Sequence, residues 1–364
     1  MLNENCKLQS QHATGGRPST FHHLHIPMKL CVLNPGGNNP EQHFAEFAGE
    51  ADDRAHPPVN YHGFAACTGG GFFRKAAAIP GDAPAVLVLL RHDLKSARQA
   101  VIDLRRAKKI VAIAWKEAGA FQVAAQLGKP AKLQLFREIC ERANLAIATT
   151  HDLVPFFRDA GARHVEFIPT PYPIEAASWN FATPIADRRG IFVGTREFDV
   201  PSRHHLAALL SMKYLAESMA EPVTVVNAAG WRGRRMLAQL QFPENLLRVI
   251  DGRRPYPRYL AAMSTHKFVF QFDASGVPGQ VAGDALLCRI PCVGGDGTTE
   301  RLVFPETCGL GRTHEQLFDI AARLLEHEHD SAGVTSRATE LAHATLSFRK
   351  VATDLGRLFG RFEK

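Results

Sequence analysis

The sequence predicts an α/β protein built from two doubly wound, Rossmann-like domains. Three observations carry this. Apolar runs of strand length recur along the chain, as in MKLCVLN (28–34), APAVLVLL (83–90), KKIVAIAW (108–115) and KFVFQF (267–272). Each leads through a turn into a stretch of helical character, the alternation expected of βα units around a parallel sheet. The chain of 364 residues is long enough for two such domains.

In chain order, residues 1–27 are rich in Gln, Ser, His and Gly without periodicity and read as a disordered extension ahead of Met28. His22, His23 and His25 there lack the spacing of a metal site. The first domain is expected over 28–175. Its opening strand runs into the turn Pro35-Gly36-Gly37-Asn38-Asn39, and 41–50 reads as a helix. Residues 51–82 read as irregular. Gly69–Gly71 before Arg74 and Lys75 suggests a phosphate loop, but no Gly-Lys-Ser/Thr follows, which excludes a Walker loop and leaves a surface loop as the expectation. The strand 83–90 exits at Arg91, His92 and Asp93; a helix follows through Arg105, then the strand 108–115 and a helix over 131–143. The strand 145–150, a short helix ending at Gly161 as its C-cap, and the segment HVEFIPTPYP (164–173) close the domain.

A linker containing Pro173, Trp179 and Pro184 leads to a second domain, expected over 186–345. Strands are read at 190–194, 221–229, 246–252 and 267–272, with helices at 231–240 and beyond Pro257. Amphipathic helices cover 315–328 and 336–362, with a break near Ser347 that sets off a terminal helix, 346–364.

Composition excludes several functions. Hydrophobic content of 45% and charged content of 22% are those of an ordinary globular protein. The net charge of +7 favours acidic partners, but the basic residues are scattered and no nucleic-acid motif accompanies them, so phosphate-bearing small molecules are expected rather than nucleic acid. No apolar run approaches the roughly 18 residues of a membrane span. Seven cysteines without framework spacing suit reduced thiols in a cytoplasmic protein, and Cys288 with Cys292 makes a poor zinc site. No metal or cofactor is expected. No Gly-x-Gly-x-x-Gly follows the first strand, which argues against a dehydrogenase.

The informative block runs from Lys267 to Phe304. It reads as strand, glycine-bearing loop, a helix ended by Pro291, short strand, glycine-rich loop and a helix start capped at Thr298 or Thr299. Two loops thus fall at consecutive strand ends, where open α/β sheets bind ligands. Glycines there admit phosphates to backbone N–H groups. Gly279, Asp284, Ala285, Pro291, Gly294, Gly295 and Glu300 together resemble the donor-sugar motif of GT-B glycosyltransferases, especially the retaining enzymes of glycosyltransferase family 4. The chain departs from that motif in having Asp284 for the helix glutamate and Gly276 where a second glutamate stands eight residues upstream, with Asp273 three residues early. Ile168, Pro169 and Pro171 are similar to the end of the family's first domain, with Thr170 replacing Asn.

The resemblance implies a GT-B fold, two domains facing a central cleft, with a terminal helix crossing back to the first. It implies transfer of a sugar from a nucleotide diphosphate sugar to a saccharide or lipid-linked acceptor, in cell-surface polysaccharide or glycolipid synthesis. Gly194, Arg196 and Arg203 fall where the family holds the diphosphate, with Gly194, Gly294 and Gly295 supplying backbone N–H groups and Gly279 matching the turn glycine of the donor site. Asp284, and Glu300 beside it, would hold ribose or sugar hydroxyls. Gly36 and Gly37 form the acceptor-side loop. An inverting enzyme needs a base from the first domain, and His92 or Asp93 is the candidate; a retaining one needs no side-chain nucleophile. The basic residues Arg349, Lys350, Arg357, Arg361 and Lys364 form either a solvated face or a peripheral contact with the inner face of a membrane. A GT-B epimerase or hydrolase, and a catalytically silent GT-B protein that binds a ligand or partner, remain open alternatives.

Overall fold

A computed structural model of the protein describes residues 29–44, 56–195 and 197–362. The expected extension 1–27, most of the helix expected at 41–50, Arg196 and Lys364 lie outside these residues.

Two sheets organise the chain. The first holds strands Leu30–Leu33 (β1), Gln42–His43 (β2), Gly71–Phe73 (β3), Ala85–Leu90 (β4), Ile110–Trp115 (β5), Leu145–Ala148 (β6) and Val165–Phe167 (β7), in the order β2-β3-β1-β4-β5-β6-β7. All neighbours are parallel except β2, which pairs antiparallel with β3 at the edge. The second holds Ile191–Val193 (β8), Val223–Asn227 (β9), Leu247–Asp251 (β10), Phe268–Gln271 (β11) and Cys292–Gly294 (β12), all parallel, in the order β10-β9-β8-β11-β12. In each sheet the winding reverses beside its first strand, so the switch points lie between β1 and β4 and between β8 and β11.

The period of two along β4 explains how its sheet is covered. Val86, Val88 and Leu90 pack against Leu94, Val101, Phe136 and Ile139 of helices Leu94–Arg106 and Pro130–Arg142. Ala85, Leu87 and Leu89 face the other way, onto Tyr61 and Phe64 of helix Asn60–Ala66. The same face takes Val351, Leu355, Leu358 and Phe359 of the terminal helix Phe348–Gly360. The chain therefore returns from the second sheet to complete the core of the first. Ser347 caps that helix, accepting from Lys350 N at 3.2 Å, and Leu346 O accepts from Tyr172 N at 2.9 Å. Much of the terminal basic charge is offset within the protein: Lys350 and Arg357 flank Asp354, and Arg361 pairs with Glu166 at 2.7 Å.

Two local expectations are corrected. Gln42–His43 is a strand rather than the start of a helix. Gly69 does sit in a half-buried turn, but Gly70 and Gly71 belong to no surface loop: Gly71–Phe73 is a buried strand against β1, and Gly70 lies so close to Leu30 that a Cβ would strike its carbonyl. Among the described residues no helix is long and apolar enough to cross a membrane.

Candidate functional site

The carboxyl ends of β8 and β11 and the start of helix Gln280–Leu287 form one cleft pocket, closed from the other domain by Asn60 and Glu117. Its position follows from packing. Gly194 ends β8 without a side chain, so Val281 of the helix sits directly on it together with Val269 of β11. Gly279 caps the helix at φ +90°, a left-handed conformation that glycine adopts at little cost. The loop 277–279 is fastened to helix Thr298–Val303: Thr298 N donates to Val277 O at 2.9 Å, and Thr299 Oγ1 to Pro278 O at 2.7 Å. These contacts aim the first turn of helix Gln280–Leu287 into the pocket. Its first intrahelical return is Gly283 N to Gly279 O, leaving the amides of residues 280–282 without carbonyl partners by helix geometry.

Three acidic side chains are buried here. Asp284 is 1% exposed, and Tyr256 donates its hydroxyl to Oδ1. Burial raises the Tyr256 hydroxyl pKa well above its ordinary value, and Asp284 reinforces that, so the tyrosine stays a donor. Asp273 accepts from Ser275 N at 2.9 Å through Oδ1 and is paired with Arg203 through Oδ2. Glu300 is 2% exposed; Gln271 Nε2 donates to its Oε1 at 2.8 Å, and burial pushes its carboxyl up to about 7. Tyr172 lies against Gly283, where a Cβ would overlap its ring, and its hydroxyl pKa is raised by burial, then by Asp284, Glu300 and Glu117.

The pocket thus gathers Gly194, Arg203, Gly279, Asp284 and Glu300 from positions far apart in the chain. Arg203 is the one lysine or arginine lining it among the described residues. Other expected residues fall elsewhere. Gly294 and Gly295 turn the chain behind Gln271 at φ +82° and +77° and do not line the pocket. The backbone cradle expected of Gly194 and Gly294 is already used: Gly194 N donates to Phe270 O at 3.0 Å and Gly294 N to Thr307 O at 2.8 Å. The helix amides at 280–282 are the donors the fold leaves available. Thr195, which also lines the pocket, is buried and bonded to His205 Nδ1 at 2.6 Å, and burial lowers that imidazole to about 4.

At the other switch point Gly36 lies 3.4 Å, by its projected Cβ, from Asp93 Oδ2, and Gly37 packs on Asn34. His92 and Asp93 are exposed and do not line the pocket. Asp93 is engaged as the cap of helix Leu94–Arg106, accepting from Ser96 N at 3.1 Å and Oγ at 2.6 Å, which holds its carboxyl below the usual range. From the first domain the residues that line the pocket are Asn60 and Glu117, at φ +53° and +51°. Sequence reasoning missed both, and Gln271, Tyr172 and Tyr256 as well. The one signal for Gln271 was a polar residue at the end of an apolar strand.

No protein-family profile matches the sequence, and no curated protein matches it. Solved structures match in fold. An α,α-trehalose 6-phosphate synthase from Burkholderia multivorans is 12% identical over 79% of this chain and 73% of its own, with a TM-score of 0.58. The E. coli trehalose-6-phosphate protein bound with UDP-2-fluoro glucose is 10% identical over 75% and 73%, at 0.56. A glycosyltransferase from Rickettsia africae ESF-5 is 9% identical over 77% of each chain, at 0.54. The chain has the two-domain GT-B fold.

Proposed function

We propose that the protein is a glycosyltransferase that moves a sugar from a nucleotide diphosphate sugar to a saccharide or lipid-linked acceptor. One observation carries the reading: an arginine, a glycine-capped helix N-terminus and three buried carboxyl groups meet in one pocket at the switch point of the second domain. These groups match the charge separation of the reaction. Arg203 and the amides of 280–282 would stabilise the departing diphosphate. Asp284, held by Tyr256, and Glu300, held by Gln271, would accept hydrogen bonds from ribose and sugar hydroxyls. Glu117 faces the same pocket across the cleft and replaces His92 and Asp93 as the candidate base of an inverting reaction; a retaining reaction needs none. The finer likeness to family 4 rests on Gly279, Asp284, Ala285, Pro291, Gly294, Gly295 and Glu300, and an acceptor from cell-surface polysaccharide or glycolipid synthesis fits it.

A second reading has its own observation. Arg203 is paired with Asp273, and two of the expected amides are spent on carbonyls of the protein itself, as suits a GT-B protein that binds a ligand or partner without transfer. Transfer assays with a panel of nucleotide sugars decide between them. The first reading expects one donor to be consumed, with Asp284→Ala folded and at least a hundredfold slower; donor binding without consumption by the wild type supports the second.

A further inference from the structure

Helices Ala120–Leu127, Pro130–Arg142 and Leu153–Asp159 of the first domain enclose a surface groove. Seven of the nine residues lining it are apolar, Leu127, Leu133, Phe136 and Phe156 among them. Phe121 stands one turn before the lining residue Ala124 on the same helix. At 71% it is the most exposed large apolar side chain among the described residues, and Leu133 in the lining is exposed as well. Val123 and Leu127 already anchor that helix in the core, so the fold does not need Phe121 on the surface. Apolar surface gathered in this way marks a contact with something outside the chain.

Charge indicates what that is. From Ala118 to Arg137 the chain carries Lys129, Lys132 and Arg137 and no acidic residue. None of these three cations has an ion-pair partner among the described residues. Glu138, the next acid, is held by Arg98 at 2.7 Å. Two carboxylates remain near, Asp159 in the lining and Glu141 beside Gly161. The basic terminal helix offers no such surface, because Asp354 and Glu166 offset much of its charge. Exposed Phe and Leu beside unpaired lysine and arginine suit a partner that is negative at its surface and apolar beneath.

We propose that this groove docks the protein on an anionic lipid bilayer, with Phe121 and Leu133 in the acyl boundary and Lys129, Lys132 and Arg137 among the headgroups. Docking is peripheral, since no helix among the described residues is long and apolar enough to cross. The face adjoins the cleft. Glu117 lines the donor pocket just before helix Ala120–Leu127, and a Cβ on Gly119 would strike the carbonyls of Ser275 and Gly276 in the second domain. A lipid-borne acceptor would thus leave the bilayer close to that pocket, a consequence that rests on the sugar-transfer reading, as docking itself does not.

The test is co-sedimentation of the full chain with vesicles of phosphatidylcholine alone, or of phosphatidylcholine and phosphatidylglycerol in equal parts. The proteins are the wild type, Phe121→Ser, the Lys129→Ser/Lys132→Ser pair and Arg357→Ser on the terminal helix, each checked for folding by circular dichroism. The wild type should sediment with the anionic vesicles and not with the neutral ones. Phe121→Ser and the lysine pair should each weaken that binding roughly tenfold, and Arg357→Ser should leave it unchanged. No binding to anionic vesicles, or binding that both groove variants leave unchanged, overturns the proposal. So does a dimer in vesicle-free solution that Phe121→Ser dissolves, which would assign the groove to a second copy. Vesicle binding is read without donor or acceptor, so its failure leaves the sugar-transfer reading standing. A protein that docks but consumes no donor keeps the docking face while that reading falls.

Discussion

Replacing Glu300 with glutamine separates the charge of this buried carboxyl from its shape, and its effect on stability follows from the structure. Burial raises the carboxyl from its ordinary 4.5 to about 7. Below 4.5 the group is protonated in folded and unfolded chains alike. Between 4.5 and 7 the unfolded chain releases the proton while the folded protein retains it, so stability falls as pH rises through this window. Above 7 both forms are ionised and the loss is complete. At about 1.4 kcal/mol per pH unit the wild type loses about 3 kcal/mol from this group. The Glu300→Gln variant would carry no such penalty, although its amide nitrogen would replace an unpartnered oxygen at a cost that does not vary with pH. Thermal unfolding of both proteins from pH 4.5 to 8 measures the difference. Relative to wild type, the variant should gain about 3 kcal/mol across that range, or roughly 6–12 °C for a domain of this size. A difference in midpoint that stays constant with pH would refute the argument that Glu300 is desolvated.

Three further outcomes follow from named contacts. Asp273→Asn frees Arg203 from its ion pair, so a nucleoside diphosphate should bind at least threefold tighter by calorimetry; weaker binding would make Asp273 itself a ligand-contacting group. Gly283→Ala drives a methyl group into the Tyr172 ring and should destabilise the protein by about 1–3 kcal/mol in urea unfolding, despite alanine's better helix propensity. Tyr256→Phe removes the donor on Asp284 Oδ1; it should lower transfer at least tenfold, with far-ultraviolet circular dichroism unchanged.

Much of this fold was legible because its strands are long apolar runs with a strong signal, as at Ala85–Leu90 and Phe268–Gln271. What escaped is short or buried on all sides. Gly71–Phe73 offers three residues led by glycine, and helix Asn60–Ala66 is buried at six of its seven positions, so it shows no amphipathic period. At the site, Gly279, Asp284 and Glu300 could be read because one sequence block holds them and the β11–helix–β12 geometry brings them together. Glu117 could not be, because only the approach of the two domains sets it opposite that block. Nor could Tyr256, which reaches Asp284 from 28 residues away. His92 and Asp93 fall outside the pocket, and for Asp93 the reason is local: an aspartate just before a helix is a good N-cap, and that is the work it does.

The most direct test of the donor site is titration of UDP, GDP and ADP into the wild-type protein and Arg203→Ala, with folding of the variant confirmed by circular dichroism. One diphosphate should bind the wild type, and the variant should lose at least tenfold in affinity for it. Binding that ignores Arg203, or no binding of any diphosphate, would contradict a donor site in this cleft.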